Sequence, residues 1–226
     1  MSVRIPKVFH RIWVGHEPLP ETAKEFAAAW RENHPGWTMV LWTDENLPGQ
    51  FNRGLYDRTR ILAQRADILR HEVLCQYGGV YLDVDFECLS NIEPLLDDVV
   101  YFYGEELPGR PGTAILGCVA GHPFARWCQL RLRDRWPWQP GAILHETGPD
   151  FFARAIGTYV GGCEREAFTD PESRRIAGVR LMPADGLPLH AFSRWVFYPY
   201  SWSGSWLPED HPDAYAVHHW HSNWKA

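Results

Sequence analysis

The stretch Arg65-Ala66-Asp67-Ile68-Leu69-Arg70-His71-Glu72-Val73-Leu74-Cys75-Gln76-Tyr77-Gly78-Gly79-Val80-Tyr81-Leu82-Asp83-Val84-Asp85 decides the fold. Leu62, Ala66, Leu69 and Val73 fall on one face of a helix, and the pattern predicts one long helix from about Tyr56 to Tyr77. Asp67 and Arg70 share a flank of that helix, three residues apart. Gly78-Gly79 is the usual punctuation at a helix C-terminus. Val80 to Leu82 reads as a short apolar strand with two carboxylates, Asp83 and Asp85, at its end. On an extended backbone both would point to the same side. Two carboxylates that close repel unless a cation sits near them, and Mg²⁺ or Mn²⁺ takes carboxylate and phosphate oxygens together. Thirteen aspartates in this chain give roughly one Asp-x-Asp by chance, so the context, not the triplet, carries the reading.

Working outward, Lys7 to Val14 reads as a first strand closed by Gly15, and Pro20-Glu21 opens a helix to about Asn33. Trp37 to Trp42 reads as a second strand. After residue 85, strands are predicted over Val99–Tyr103 and Ala114–Ala120, and helices over Pro123–Arg133 and from Gly148-Pro149 to Ile156. Beyond Pro171 the sequence reads as loop-rich with aromatic segments. Strands and helices alternate from residue 7 to 85, which predicts an α/β fold with a mainly parallel central sheet flanked by helices. In such sheets ligands bind beyond the carboxyl ends of the strands. Asp83, Asp85, Gly15 and Asp44 all lie at such ends.

The 226 residues show no repeat, low-complexity tract or linker, so one domain is expected over 1–226, with an aromatic-rich region from about 185 to 226 closing the active site. A hydrophobic content of 45% allows a sizeable core. The formal charge of −6 and the lack of a basic cluster argue against nucleic acid held by its backbone. Met1 to Lys7 has no apolar run of signal-peptide length. No stretch approaches the roughly 20 apolar residues of a membrane span. A cytoplasmic protein is therefore expected. Five dispersed cysteines predict free thiols rather than a disulfide framework. Twelve tryptophans, five of them after residue 190, serve either as core and interface or as stacking platforms for a base and for sugars. Trp195, Trp202 and Trp206 are candidates for an acceptor surface.

The last ten residues, Val217-His218-His219-Trp220-His221-Ser222-Asn223-Trp224-Lys225-Ala226, carry three histidines and two tryptophans. Imidazole ligates Mn²⁺-class metals and bonds phosphate. A disordered end rarely carries such residues, so this segment is expected to dock back on the fold. A zinc site in a metal hydrolase is a weaker reading, because His-His-x-His lacks the usual companions. Glu105 and Glu106 follow a candidate strand, and Asp150 follows Gly148-Pro149. They are candidate contacts to an acceptor or to a transferred sugar, against the plainer readings of a loop surface and a first-turn acid.

These blocks together resemble glycosyltransferase family 32, the Asp-x-Asp sugar transferases that include the yeast initiating mannosyltransferases, the α-1,4-galactosyltransferases and the clostridial glucosylating toxins. The resemblance rests on Ile5 to Gly15, on Ala66 to Arg70 with Tyr77 to Asp85, on Gly121-His122-Pro123-Phe124, on Thr147-Gly148-Pro149 and on Ala216 to Trp224. It implies a GT-A (Rossmann-like) fold, a nucleotide-sugar donor, a divalent metal (Mn²⁺ or Mg²⁺) and retention at the anomeric carbon. By resemblance Trp13, with Ile12 and Val14 beside it, would take the donor base. Asp67, Arg70 and Tyr81 would hold ribose and the transferred sugar. Asp83 and Asp85 would meet the metal with His218 as a further ligand, and Asp83 would also touch the ribose. Ser222, Asn223 and Trp224 would close on the diphosphate. Arg70, Asp83 and Asp85 would be the catalytic set. The expectation is a hexosyltransferase, with a UDP-sugar favoured over GDP-mannose and a glycan, protein or small molecule as acceptor. The alternative is a module of the same fold that binds a nucleotide sugar or glycan without turnover.

Overall fold

The computed structural model describes residues 4–139, 142–184, 186–205 and 207–221. In chain order the elements are β1 (Val8–Ile12), α1 (Glu21–Asn33), β2 (Thr38–Trp42), α2 (Arg53–Arg58), α3 (Leu62–Tyr77), β3 (Gly79–Leu82), β4 (Phe86–Cys88), β5 (Tyr101–Leu107), β6 (Arg110–Cys118), α4 (Pro123–Asp134), α5 (Ile143–Glu146) and α6 (Pro149–Val160). They continue with β7 (Glu164–Thr169), β8 (Ile176–Met182), β9 (Leu189–Phe192), α7 (Arg194–Phe197) and β10 (Ala216–His218). Among the described residues, eight strands form one sheet in the order β2-β1-β3-β6-β5-β9-β8-β7, and β10 pairs with β4 in a small second sheet.

The expected α/β architecture is present. Parallel pairing joins β2, β1 and β3, built by the β–α–β alternation of the first 82 residues, and joins β5 to β9. The other four junctions of the large sheet are antiparallel, so the sheet as a whole is mixed. Alternation along the strands divides the core in two. Tyr81, Leu116, Tyr101 and Tyr103 pack with α3, α4 and α6 on one face. Phe9, Val80, Leu82, Ile115 and Phe102 pack with Trp30 and Phe197 on the other.

Two expectations are corrected. The predicted helix from Tyr56 to Tyr77 is two helices, because Thr59 and Ile61 are extended (ψ 123° and 117°). The Thr59 hydroxyl donates to the Leu55 carbonyl at 2.8 Å and caps α2 there, and Thr59 and Ile61 are both β-branched. The region beyond Pro171 is not mainly loop. It holds β8, β9, α7 and β10. One of the two outer strands of the large sheet, β7, is largely exposed and carries Glu164, Arg165 and Glu166, an edge kept polar.

Gly78 and Gly79 turn α3 directly into β3. Both have positive φ (64° and 89°). A Cβ on Gly78 would stand 2.5 Å from the Ala120 nitrogen, and one on Gly79 would stand 2.5 Å from the Val8 carbonyl oxygen. Glycine is therefore required twice, by conformation and by space. This junction sets where β3 ends and hence where Asp83 stands. The five cysteines are free thiols, as expected. No helix among the described residues is long and apolar enough to cross a membrane.

Candidate active site

Asp83 leaves β3 at the sheet edge, where its N–H donates to the Ala114 carbonyl at 2.8 Å. The Phe86 N–H returns to the Asp83 carbonyl at 3.2 Å, so Asp83-Val84-Asp85 is a tight turn rather than the extended segment expected. The carboxylates nevertheless converge, because β10 lies antiparallel on β4 with His218 opposite Phe86. Ligand atoms of Asp83, Asp85 and His218 all lie within 4.8 Å of one another, and among the described residues no other His, Cys, Asp and Glu group has that arrangement.

The C-terminal segment wraps Asp85. His218 Nε2 is 3.2 Å from Asp85 Oδ1, and the His221 N–H donates to Oδ2 at 2.8 Å. The His219 N–H donates to the Asp85 carbonyl at 3.0 Å. Trp220 takes φ 56°, a conformation costly for a bulky residue, and the chain turns there between these contacts. The His219 side chain points elsewhere, bonding Glu87 at 2.7 Å and stacking on Phe26 at 4.9 Å. Of the three histidines, His218 is therefore the one that meets the carboxylates. Burial alone would raise the Asp85 carboxyl, but the charge and hydrogen bond of His218 and the His221 N–H outweigh it and hold it below the usual carboxylate range. Burial would lower His218, and the charge of Asp85 overrides that and raises it.

Behind Asp83 lies a buried polar chain. The Arg70 guanidinium donates to the Thr113 carbonyl at 2.8 Å and pairs with Asp67 at 2.9 Å and Asp83 at 3.5 Å. It sits over the Tyr81 ring, 4.8 Å from the centroid, and the Tyr81 hydroxyl donates to Asp83. Asp67 accepts a further hydrogen bond from the Thr147 hydroxyl at 2.5 Å. Asp67 and Arg70 are thus a buried pair joined to the Asp83 carboxylate, not a surface ion pair. Burial raises the Asp67 carboxyl against the opposing influence of Arg70 and Thr147.

A cavity of about 490 Å³ opens over Asp83, Asp85 and His218. Glu106 and Arg110 line it from the β5–β6 hairpin, Asp150 from the first turn of α6, and Ser201, Trp202 and Trp220 from the C-terminal region. Burial, helped by Asp83 and Asp150, pushes the Glu106 carboxyl up to about 6 against the pull of His218 and Arg110. Glu105 does not line the cavity. It accepts from the Gly109 N–H at 3.2 Å, within its own hairpin. Trp202 is 78% exposed, whereas the Trp195 indole bonds the Ile176 carbonyl under Arg175.

The remaining expected donor contacts divide. Asp67, Arg70 and Tyr81 are buried and reach the cavity through Asp83. Ile12 and Val14 place their side chains in the core. Trp13 stands where β1 ends, tied by its N–H to the Trp42 carbonyl at 2.8 Å and by its indole to the Glu17 carbonyl at 2.7 Å. Parallel register sets β1 beside β3 with their carboxyl ends at one edge. Trp13 is not among the cavity's lining residues. Ser222, Asn223, Trp224 and Trp206 lie outside the described residues. Sequence reading gave Thr147, Arg110 and Thr113 no role. Thr147 stood in a quoted block, but its partner is 80 residues away.

Comparison with known proteins agrees with this geometry. A family profile described as glycosyltransferase sugar-binding region containing DXD motif matches residues 20–101. The chain is 29% identical over 165 residues to inositol phosphoceramide mannosyltransferase 3 of Schizosaccharomyces pombe, covering 67% of this chain and 45% of that protein. It is 31% identical over 159 residues to mannosyl phosphorylinositol ceramide synthase SUR1 of Saccharomyces cerevisiae, covering 66% of this chain and 41% of that protein. The chain thus spans less than half the length of these relatives. Among solved structures it resembles PaToxG glycosyltransferase with a TM-score of 0.63 over 71% of each chain at 17% identity, a likeness of fold. With the DXD carboxylates at the end of β3, the chain has the GT-A architecture and is similar over residues 20–101 to the DXD-motif glycosyltransferases.

Proposed function

We propose that the protein transfers a hexose from a nucleoside-diphosphate sugar to a hydroxyl of a glycan, protein or small-molecule acceptor, with a divalent cation held by Asp83, Asp85 and His218. The observation that carries this reading is the convergence of those three side chains on the cavity, from elements 133 residues apart. Two carboxylates and an imidazole fit Mn²⁺ or Mg²⁺. His218 Nδ1 has no hydrogen-bond partner, and its Nε2 faces Asp85. When bound, the cation supplies positive charge for the departing diphosphate.

The chain's own residues do the rest. Tyr81 and Arg70 hold the Asp83 carboxylate in one orientation. Arg70 remains charged, because Tyr81, Asp67 and Asp83 more than offset its burial. Glu106 and Asp150 face the cavity where an acceptor hydroxyl would enter, and Trp202 offers an exposed ring for a sugar to lie on. No residue is assigned as a nucleophile, and retention follows from the family resemblance. The names of the relatives put a mannosyl donor beside the UDP-hexoses that the sequence favoured.

The test is nucleotide release from a panel of UDP-hexoses and GDP-mannose, with and without Mn²⁺, for the wild type and Asp85→Asn. Turnover of one donor, needing the cation and falling about 10²-fold or more in the variant, is expected. Undiminished turnover in a folded Asp85→Asn protein overturns the reading.

A further inference from the structure

A second cleft, of about 440 Å³, opens between residues 51–58 and the end of α4. It shares no lining residue with the cavity above Asp83 and Asp85. Phe51, Asn52, Arg58, Arg133 and Trp136 line it, and no carboxylate does. The acids nearby are engaged elsewhere. Asp57 pairs with Arg53 at 2.8 Å and Asp134 with Arg131 at 3.1 Å. Glu72 is turned inward to the N–H groups of Phe51 and Asn52.

Arg58 and Arg133 are exposed, and among the described residues neither has a carboxylate partner. Arg133 stands 5.3 Å from the centroid of the Phe51 ring, which Arg126 also covers at 3.7 Å. Asn52 is buried at the cleft wall. Its Nδ2 donates to the Gln129 carbonyl at 3.0 Å, and its Oδ1 has no donor. In a chain of net charge −6, unpaired guanidinium groups gathered on an acid-free cleft are a local inversion of sign.

We propose that this cleft binds the phosphate monoester of a small phosphorylated ligand, with Arg58 and Arg133 as its charged clamp. The planar guanidinium fork matches phosphate oxygens two at a time. A dianion between two unpaired cations relieves their mutual repulsion. The same headgroup chemistry occurs on a soluble sugar or polyol phosphate and on an anionic phospholipid.

Calorimetry with glycerol 3-phosphate at low ionic strength tests the site directly. The wild type should bind, and Arg58→Gln/Arg133→Gln should bind about tenfold more weakly or worse. Both arginines are exposed, so the double variant should keep its fold. Asp85→Asn should bind as the wild type does, which separates this site from the sugar-transfer cavity and leaves the test independent of the proposed activity. No binding to the wild type at about 10 mM ligand overturns the proposal. So does equal affinity in the double variant, or equal loss in Asp85→Asn. Sedimentation with phosphatidylcholine vesicles, with and without phosphatidic acid, names the source. Phosphatidic acid-dependent binding lost in the double variant supports the site with a lipid headgroup. Calorimetric binding without sedimentation supports it with a soluble ligand.

Discussion

The Thr147 hydroxyl is joined through Asp67 and Arg70 to the Asp83 carboxylate, so one uncharged side chain at the end of α5 steadies the Asp83 oxygens. Thr147→Val keeps the volume and removes the donor. Asp67 is then left a buried carboxylate short of one hydrogen bond, which costs roughly 1–3 kcal/mol. The expected result is a lower urea midpoint at unchanged m-value, with reduced donor turnover, and recovery of both in Thr147→Ser. Turnover and stability equal to wild type in Thr147→Val would show that the hydrogen bond does not position Asp83. Asp67, Arg70, Asp83 and Asp85 were legible in the sequence because helical and strand periodicity put them at one sheet edge. Thr147 was not, since its contact depends on a helix arriving from 80 residues downstream, and Thr113 acts through a carbonyl that carries no residue signature.

Helix α3 shows where periodicity misleads. Its apolar face was readable, yet Asp67, Arg70, His71 and Glu72 are buried as well, because α4 and α6 cover what an amphipathic helix would leave to solvent. Glu72 takes hydrogen bonds from the Phe51 and Asn52 N–H groups and from Gln129 at 2.7–3.0 Å, tying the loop before α2 and helix α4 to α3. Glu72→Ala strands three donors, two of them buried, and is expected to cost about 3 kcal/mol, read as a fall in denaturant midpoint. A loss under about 0.5 kcal/mol would refute the tie. The β4–β10 pairing was equally hidden. Three residues of β10 find their partner by register across the whole chain, while the histidines that ride on them were visible. Val217, fully buried in that strand, should be intolerant of charge. Val217→Asp is expected to displace His218 and to abolish Mn²⁺ binding in calorimetry, with far-ultraviolet circular dichroism of the large sheet retained. Wild-type Mn²⁺ affinity in that variant would separate β10 from the cation site.

Across the whole molecule, burial has made histidine an internal polar residue. Desolvation lowers His10, His122 and His190 from 6.5 to about 4, and His71 to about 3. His10 shows why the neutral form is preferred. Its Nε2–H donates to the Gly78 carbonyl at 2.9 Å, and its Nδ1 accepts from the Trp42 indole at 3.1 Å, so one tautomer satisfies both sides. A group whose folded value lies below its unfolded one lends stability above the unfolded value, and that stability drains away as pH falls toward the folded value. For these four histidines the window opens at 6.5 and runs to about 4, each contributing up to about 1.4 kcal/mol per pH unit. His218, raised rather than lowered, has its contribution complete below 6.5 and adds no slope there. The raised carboxyls of Asp67, Glu72, Glu105 and Glu106 oppose the loss, but Glu106 moves only from 4.5 to about 6, less than any of the four histidines. Where proton uptake by the unfolded imidazoles exceeds uptake by these native carboxyls between pH 6.5 and 4.5, stability falls as acid is added. Urea unfolding at pH 7.5, 6.5, 5.5 and 4.5 (settings spanning that window) should show a midpoint that drops through the values below 6.5. A midpoint that holds or rises from pH 6.5 to 4.5 would mean that the buried imidazoles are matched by carboxyl uptake.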